Sequence, residues 1–298
     1  MRAAKKLLLP CLIMPFAAHA EEQTAQPAAA YPGATNPASA TPTGVGLARG
    51  APPAQGWTLS IGAAALFSPV WNGSRTMALS IVPDLRVNYN DTLFASIPDG
   101  LGWNAINADG WKAGPIAKIR FGRNENTGGS PFLLVGESTA LRGMGDVRVA
   151  GEVGGFAEKR FGAKRQWRAR AELRKGFGGH RGVVGDVSMA YLARSGRTMI
   201  SVGPRATFAS ANYLQTYFGV NDLQAQRTGL ATYRADGGLV SYGLSAALIR
   251  PLGRRRAVTV FSQLDRLGGE AGQSSLIRER GQRTQFTLGV SYSVRFKL

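Results

Sequence analysis

The sequence predicts an all-β fold, a transmembrane antiparallel up-and-down β-barrel. Three observations predict it. Apolar residues recur at every second position from Trp57 to the last residues, the links between those runs sort by parity into tight and long, and an export signal precedes them.

The export signal occupies residues 1–20. Arg2, Lys5 and Lys6 form a basic start, and Leu7 to Phe16 form an apolar stretch too short to span a bilayer. Ala18 and Ala20 then supply the small residues that signal peptidase needs, so cleavage is expected after Ala20. A lipoprotein signal acylated at Cys11 would need a small residue where Pro10 stands. Residues 21–55 are Ala, Pro, Thr and Gly with almost no large apolar side chain, and they read as a disordered periplasmic leader. The barrel then takes residues 56–298.

Composition excludes several chemistries. Cys11 is the single cysteine and leaves with the signal, which removes thiolate metal sites, cysteine nucleophiles and disulfides. Of the two histidines only His180 remains. The net charge is +18, and +15 once the three signal cations are removed, which points to anionic partners. Nucleic acid is not expected for an exported chain whose cations are spread along its length. Lipopolysaccharide phosphates, peptidoglycan and anionic solutes are better candidates. No later apolar run reaches the ~18 residues of a transmembrane helix, so insertion has to be by strands.

The strands follow in order. Trp57, Leu59, Ile61, Ala63, Ala65 and Phe67 alternate with polar or small residues, as do Leu79, Ile81, Pro83, Leu85, Val87 and Tyr89. Trp111 to Phe121, Trp167 to Arg174, Val187 to Ala193, Ile200 to Phe208, Val240 to Leu248 and Val258 to Leu264 repeat the pattern. Thr92–Ile97, Phe132–Glu137 and Asp146–Phe156 carry it more weakly. The last strand, Gln285 to Phe296, is longer than a typical soluble strand and suits a tilted span with one face on lipid. About twelve strands result, or ten if two weak ones merge. Asn90-Asp91, Ser195 to Arg197 and Pro251 to Arg255 are tight links after even strands; Pro98–Gly110, Ala209–Gly238 and Asp265–Arg283 are long links after odd ones. That parity suits short periplasmic turns and long outer loops, and a soluble sandwich has no reason for it. Pro83, Pro115 and Pro204 oppose the strand assignment, because proline removes a ladder donor.

Thr287, Gly289, Tyr292, Val294 and Phe296 resemble the C-terminal signal that the barrel-assembly machinery reads in its clients, although Lys297-Leu298 replaces the usual terminal aromatic. Other blocks carry a wider resemblance. They are Leu66-Phe-Ser-Pro-Val-Trp-Asn-Gly-Ser74, Gly114-Pro115 leading to Arg120-Phe-Gly-Arg123, and Gly203-Pro204 followed by Tyr213 and Tyr217-Phe-Gly-Val220. Thr228 to Tyr233, Gly237-Gly-Leu239, Arg266 to Gly269 and Ser274 to Ile277 complete the set. Together they resemble the MipA/OmpV family of outer-membrane proteins over about Trp57 to Leu298. Trp71 stands where the family tends to have tyrosine, and Ser275 where it tends to have proline.

The resemblance implies an outer-membrane scaffold bridging a lytic transglycosylase and a murein synthase; other members are associated with adhesion, osmotic response or antibiotic uptake. It implies no catalytic or ligand residue. The residues themselves argue against an enzyme: His180, in a glycine-rich outer loop, could in principle serve with Ser188, but a lone loop histidine is more often solvated. Neither a cofactor nor a metal site is expected. On the polar strand faces lie Arg86, Lys118, Arg120, Arg148, Arg168, Arg170, Arg174, Arg205 and Arg295, with Asp84, Glu152, Glu172 and Asp186 among them. Either they line a narrow channel for small anionic solutes, or they pair with those acids and plug the barrel. Lys159, Arg160, Lys164, Arg165 and Arg254 to Arg256 lie near periplasmic turns, where they suit lipid phosphates or a periplasmic partner. Scaffold, narrow channel and surface adhesin are the functions carried forward.

Overall fold

The computed structural model describes residues 56–129 and 131–298. Ala18, Ala20 and the 21–55 leader lie outside the described residues. The strands are β1 (Trp57–Pro69), β2 (Met77–Tyr89), β3 (Leu93–Ser96), β4 (Gly100–Trp103), β5 (Ile106–Ala108), β6 (Trp111–Arg120), β7 (Leu133–Val135), β8 (Ala150–Phe161), β9 (Trp167–Gly178), β10 (Val183–Ser195), β11 (Thr198–Ala209), β12 (Gly238–Leu252), β13 (Arg256–Leu267) and β14 (Thr284–Lys297). Four short helices lie in the outer links: α1 (Ala211–Phe218), α2 (Asp222–Thr228), α3 (Gly269–Gln273) and α4 (Ser275–Arg280).

Every strand but β5 and β7 joins one antiparallel ring, which β1 closes by pairing with both β2 and β14. The ring is a closed twelve-stranded barrel. Period-two patterning does what it must. Ile61, Ile81, Leu173, Leu244, Val290 and Tyr292 face outward and are exposed, while Ser60, Ser80, Thr259, Ser291 and Ser293 face inward and are buried. Turn chemistry sets the periplasmic hairpins. Asn90 and Asp91 take left-handed φ of 47° and 57° between β2 and β3, and Gly196 takes φ 57° between β10 and β11. Leu298 donates its N–H to the Trp57 carbonyl at 3.0 Å, so both ends of the barrel chain meet on that side.

The ring count matches the expectation through two compensating corrections. Phe132–Glu137 contributes β7, which lies outside the ring and pairs only with upper β2, at Leu79↔Val135 and Ser80↔Leu133. In its place stands β4, inside the stretch 98–110 that reads as a long outer loop; glycines at 100 and 102 hide a strand pattern there. One strand lost and one gained leaves parity intact.

The short β3–β4 hairpin leaves the wall low between β2 and β6. On the β2 side β3 pairs no higher than Arg86↔Ser96, and β7 stands above it. This answers the proline objection for Pro83. The Ile81 N–H points to the Phe132 carbonyl, and alternate residues point the same way, so Pro83 lacks its donor on the side where no ring strand is adjacent. Pro204 likewise falls where the β10–β11 ladder is interrupted, between Ser188↔Arg205 and Tyr191↔Val202.

Candidate functional site

Inside the barrel, alternate residues of β6 and β8–β10 carry charge to one place. Arg120 and Arg174 both bond to Glu152, and Arg174 continues to Glu172 and to Asp186, the latter at 2.6 Å. Lys118 reaches Glu172 at 2.7 Å, and Arg170 bridges Glu172 at 2.8 Å and Glu158 at 3.4 Å. Arg160 reaches Glu158 as well, at 3.6 Å, so five cations meet four carboxylates. Pairing is required: an unpaired buried charge costs several kcal/mol, roughly 3–5 when one partner is removed. Elsewhere on the wall Arg86 pairs with Asp84 and Asp99, and Arg205 with Asp265.

His180 overturns an expectation. It is buried, not solvated, and its Nε2 lies 3.0 Å from Glu152 Oε1. The Gly182 N–H donates to Nδ1, which assigns the proton to Nε2 and makes the imidazole a donor to Glu152. Gly176 allows this, since a Cβ there would lie 2.1 Å from His180 Cε1. Ser188 is not among the hydrogen-bond partners of His180.

The lumen also holds an apolar cluster beside these charges and the inward serines and threonines. Ala64, Leu66, Val82, Ala247, Ile249 and Phe261 form one cluster, with Ile97, Phe132 and Met199 against it. Phe261 sits over Gly289 of the neighbouring strand, where a Cβ would lie 2.1 Å from its ring. A cavity of about 30 Å³ remains beside Arg168, Arg170 and Arg205, room for a water or two.

A folded cap covers the outer end. The links containing α1–α4, together with Trp71, Leu141 and Met144 from two other outer links, bury a common core that includes Leu214, Phe218, Val220, Leu230, Leu276 and Ile277. Side chains stitch the links to one another. Ser274 Oγ donates to the Phe218 carbonyl, Ser275 Oγ to the Ala231 carbonyl, and Gln224 Nε2 to the Met144 carbonyl. An Asn221–Gln224 capping box starts α2, and Gly229 at φ 73° ends it.

Cap and lattice share a seam. His180 packs edge-on to Tyr213 at 5.1 Å, Arg120 stacks on Tyr213 at 5.2 Å, and Arg123 donates to the Tyr217 carbonyl at 2.8 Å. Burial pushes the Arg123 guanidinium down to about 10 and holds the Tyr217 phenol above its ordinary value.

Of the nine basic residues expected on the lumen face, Lys118, Arg120, Arg170 and Arg174 enter the lattice. Arg86 and Arg205 pair elsewhere, Arg168 is buried beside the cavity, and Arg295 is half-buried near the end of β14. Arg148 does not belong with them: it is exposed, in the link before β8 begins at Ala150. Glu158, Asp99, Asp265 and His180 were the partners that sequence reasoning missed. Parity could have found Glu158, three alternate positions beyond Glu152 on the same face; only tertiary structure could find His180. Thr287, Gly289, Tyr292, Val294 and Phe296 all lie on β14. Among the described residues there is no cluster of three metal-ligating side chains.

Several of the family-resembling blocks converge on the cap, while Gly114-Pro115 and Gly203-Pro204 lie on β6 and β11. Trp71, Tyr213, Phe218, Val220, Leu276 and Ile277 are all in the cap core. A family model described as MltA-interacting protein MipA matches residues 61–296. An outer membrane protein named YiaT from Escherichia coli (strain K12) is 26% identical over 111 residues, 37% of this chain and 44% of that protein. The match thus spans less than half of that relative's length. Among solved structures, the COG4313 outer membrane channel from Pseudomonas putida F1 is 13% identical with TM-score 0.46, covering 86% of this chain and all of that one. The NanC porin is 10% identical with TM-score 0.37, covering 81% of this chain and 100% of that one.

Proposed function

Because the chain belongs to the MipA family and is an outer-membrane barrel, we propose that it acts as a scaffold for peptidoglycan-remodelling enzymes and not as a pore. The partners in this reading are a lytic transglycosylase of the MltA kind, which the family description names, and a murein synthase. One observation carries the preference over a channel. The buried lumen cations Lys118, Arg120, Arg170 and Arg174 are each held by carboxylates beneath a cap with its own apolar core. A basic lining that selects anions needs charge left over for the solute, and these four cations are already bound to carboxylates. The surface left for a partner is then the periplasmic end, together with the 21–55 leader.

The test is an envelope pull-down with the full mature chain and with a form lacking residues 21–55. A transglycosylase or synthase should co-purify with at least the full chain. If neither enzyme follows either form, the scaffold reading fails. Planar-bilayer recording tests the alternative: stable, anion-preferring conductance from the intact protein would favour the narrow channel.

A further inference from the structure

The periplasmic end of the barrel is not evenly charged. Residues 159–167, 190–199, 249–259 and 293–298 contain no acidic side chain. They make the β8–β9, β10–β11 and β12–β13 turns and the end of β14. At the tips, Lys164, Arg165, Arg197, Arg254 and Arg255 are exposed, and none forms an ion pair among the described residues. Of the acidic residues of this end, Asp91 is taken by Lys112, and Asp109 borders the arc in the link before β6, where its carbonyl accepts from Lys159 at 2.9 Å.

The β10–β11 tip lies beyond the membrane interface. Aromatic pairs mark that interface: Trp57 with Tyr89 at 4.8 Å and Trp167 with Tyr191 at 5.0 Å. Lys159, over the Trp111 ring at 4.8 Å, stands at headgroup level. The β10–β11 hairpin runs four residues past Tyr191, on the order of 13 Å of strand. On this hairpin lipid phosphates are therefore met above the tip, and Arg197 faces the space below. Successive hairpins are two strands apart, roughly 10 Å. A row of weak, exposed cations at a regular spacing suits a polymer that repeats its charge, since each contact is small and the total comes from many held together.

We propose that this arc binds the carboxylates of peptidoglycan stem peptides, through Lys164, Arg165, Arg197, Arg254 and Arg255. The polymer is held directly, without a protein partner. Failure of this inference leaves the scaffold reading untouched, and the reverse also holds.

The test is co-sedimentation of the purified full mature chain, in detergent, with protein-free sacculi. Wild-type protein should sediment and be released by added salt, because exposed ion pairs are screened. Replacing all five residues by glutamine should weaken binding on the order of tenfold or more. Arg254→Gln with Arg255→Gln, a milder change, should give an intermediate loss with barrel folding unchanged. Removing two outer-end cations, Arg142→Gln with Arg227→Gln, should change nothing. Sacculi with amidated carboxylates should bind as weakly as the five-residue variant. The inference is overturned if wild type does not sediment, if the five-residue variant or the amidated sacculi bind normally, or if phosphatidylglycerol vesicles capture the protein through these residues and sacculi do not.

Discussion

Arg174 donates from Nε to Glu152 Oε2 at 2.9 Å, and both side chains are almost wholly excluded from solvent. The pair joins β8 to β9 across the lumen face, and each partner is also bonded to others of the lattice. Replacing Glu152 with glutamine removes the charge that answers Arg120 and Arg174 and leaves one oxygen where two accept from Arg120, Arg174 and His180. The expected cost is about 3–5 kcal/mol, read as a lower urea midpoint for the barrel refolded in lipid. Glu152→Gln with Arg174→Gln should cost less than the two single changes summed. Strict additivity would mean that the lattice is not one unit.

Gly289, which resembles part of a C-terminal assembly signal in the sequence, has a packing role in the structure. An alanine there would push Phe261 out of the lumen cluster, since the added methyl falls inside the ring. Gly289→Ala should destabilise by about 1–3 kcal/mol. A second change, Phe261→Leu, should restore much of the loss by vacating the space. Stability that stays lost in the double variant would rule out the packing role.

The cap and the barrel can be separated. Leu276 is fully buried in the cap core, away from the membrane-spanning ladder. Leu276→Asp places a charge among apolar side chains and forfeits at least the burial, about 2–5 kcal/mol. Protease added to intact cells should then cut within 210–237 or 268–283, while the barrel still migrates as a folded species. Uncut loops would show that the lattice and seam hold the cap without its core.

Tyr233 supplies a pH dependence. Its hydroxyl donates to Glu270 at 2.7 Å, and burial followed by that hydrogen bond raises the phenol above its ordinary value. A group with a raised folded pKa contributes stability that is fully present below its unfolded pKa, about 10 for tyrosine, and is lost as pH rises through the folded value. Cap protection from protease should therefore weaken above about pH 10. Tyr233→Phe should remove that component of the alkaline loss. A loss of the same size in both proteins would place the titration elsewhere.

Much of this barrel is written in local pattern. Period-two alternation placed the long strands because a lipid-facing side chain and a lumen-facing side chain must alternate on any strand that crosses. Asn90-Asp91 and Gly196 declared their turns because left-handed φ is tolerated by few residues. The pattern failed at β4 and β7. There the strands are three or four residues long, and Gly100 and Gly102 carry no apolar side chain to count.

The sequence by itself determined the barrel class, the face each strand turns to lipid and the side on which its short turns lie, since each depends on residues near one another in the chain. Tertiary structure decided what fills and covers it. Glu152 meets His180 across 28 positions, and Trp71 joins a core with Leu276, far along the chain. Charge pairing in the lumen and closure of the outer end are sums over such distant contacts. No local periodicity encodes them, because the energy that selects them exists only once the ring has closed and brought those links to one place.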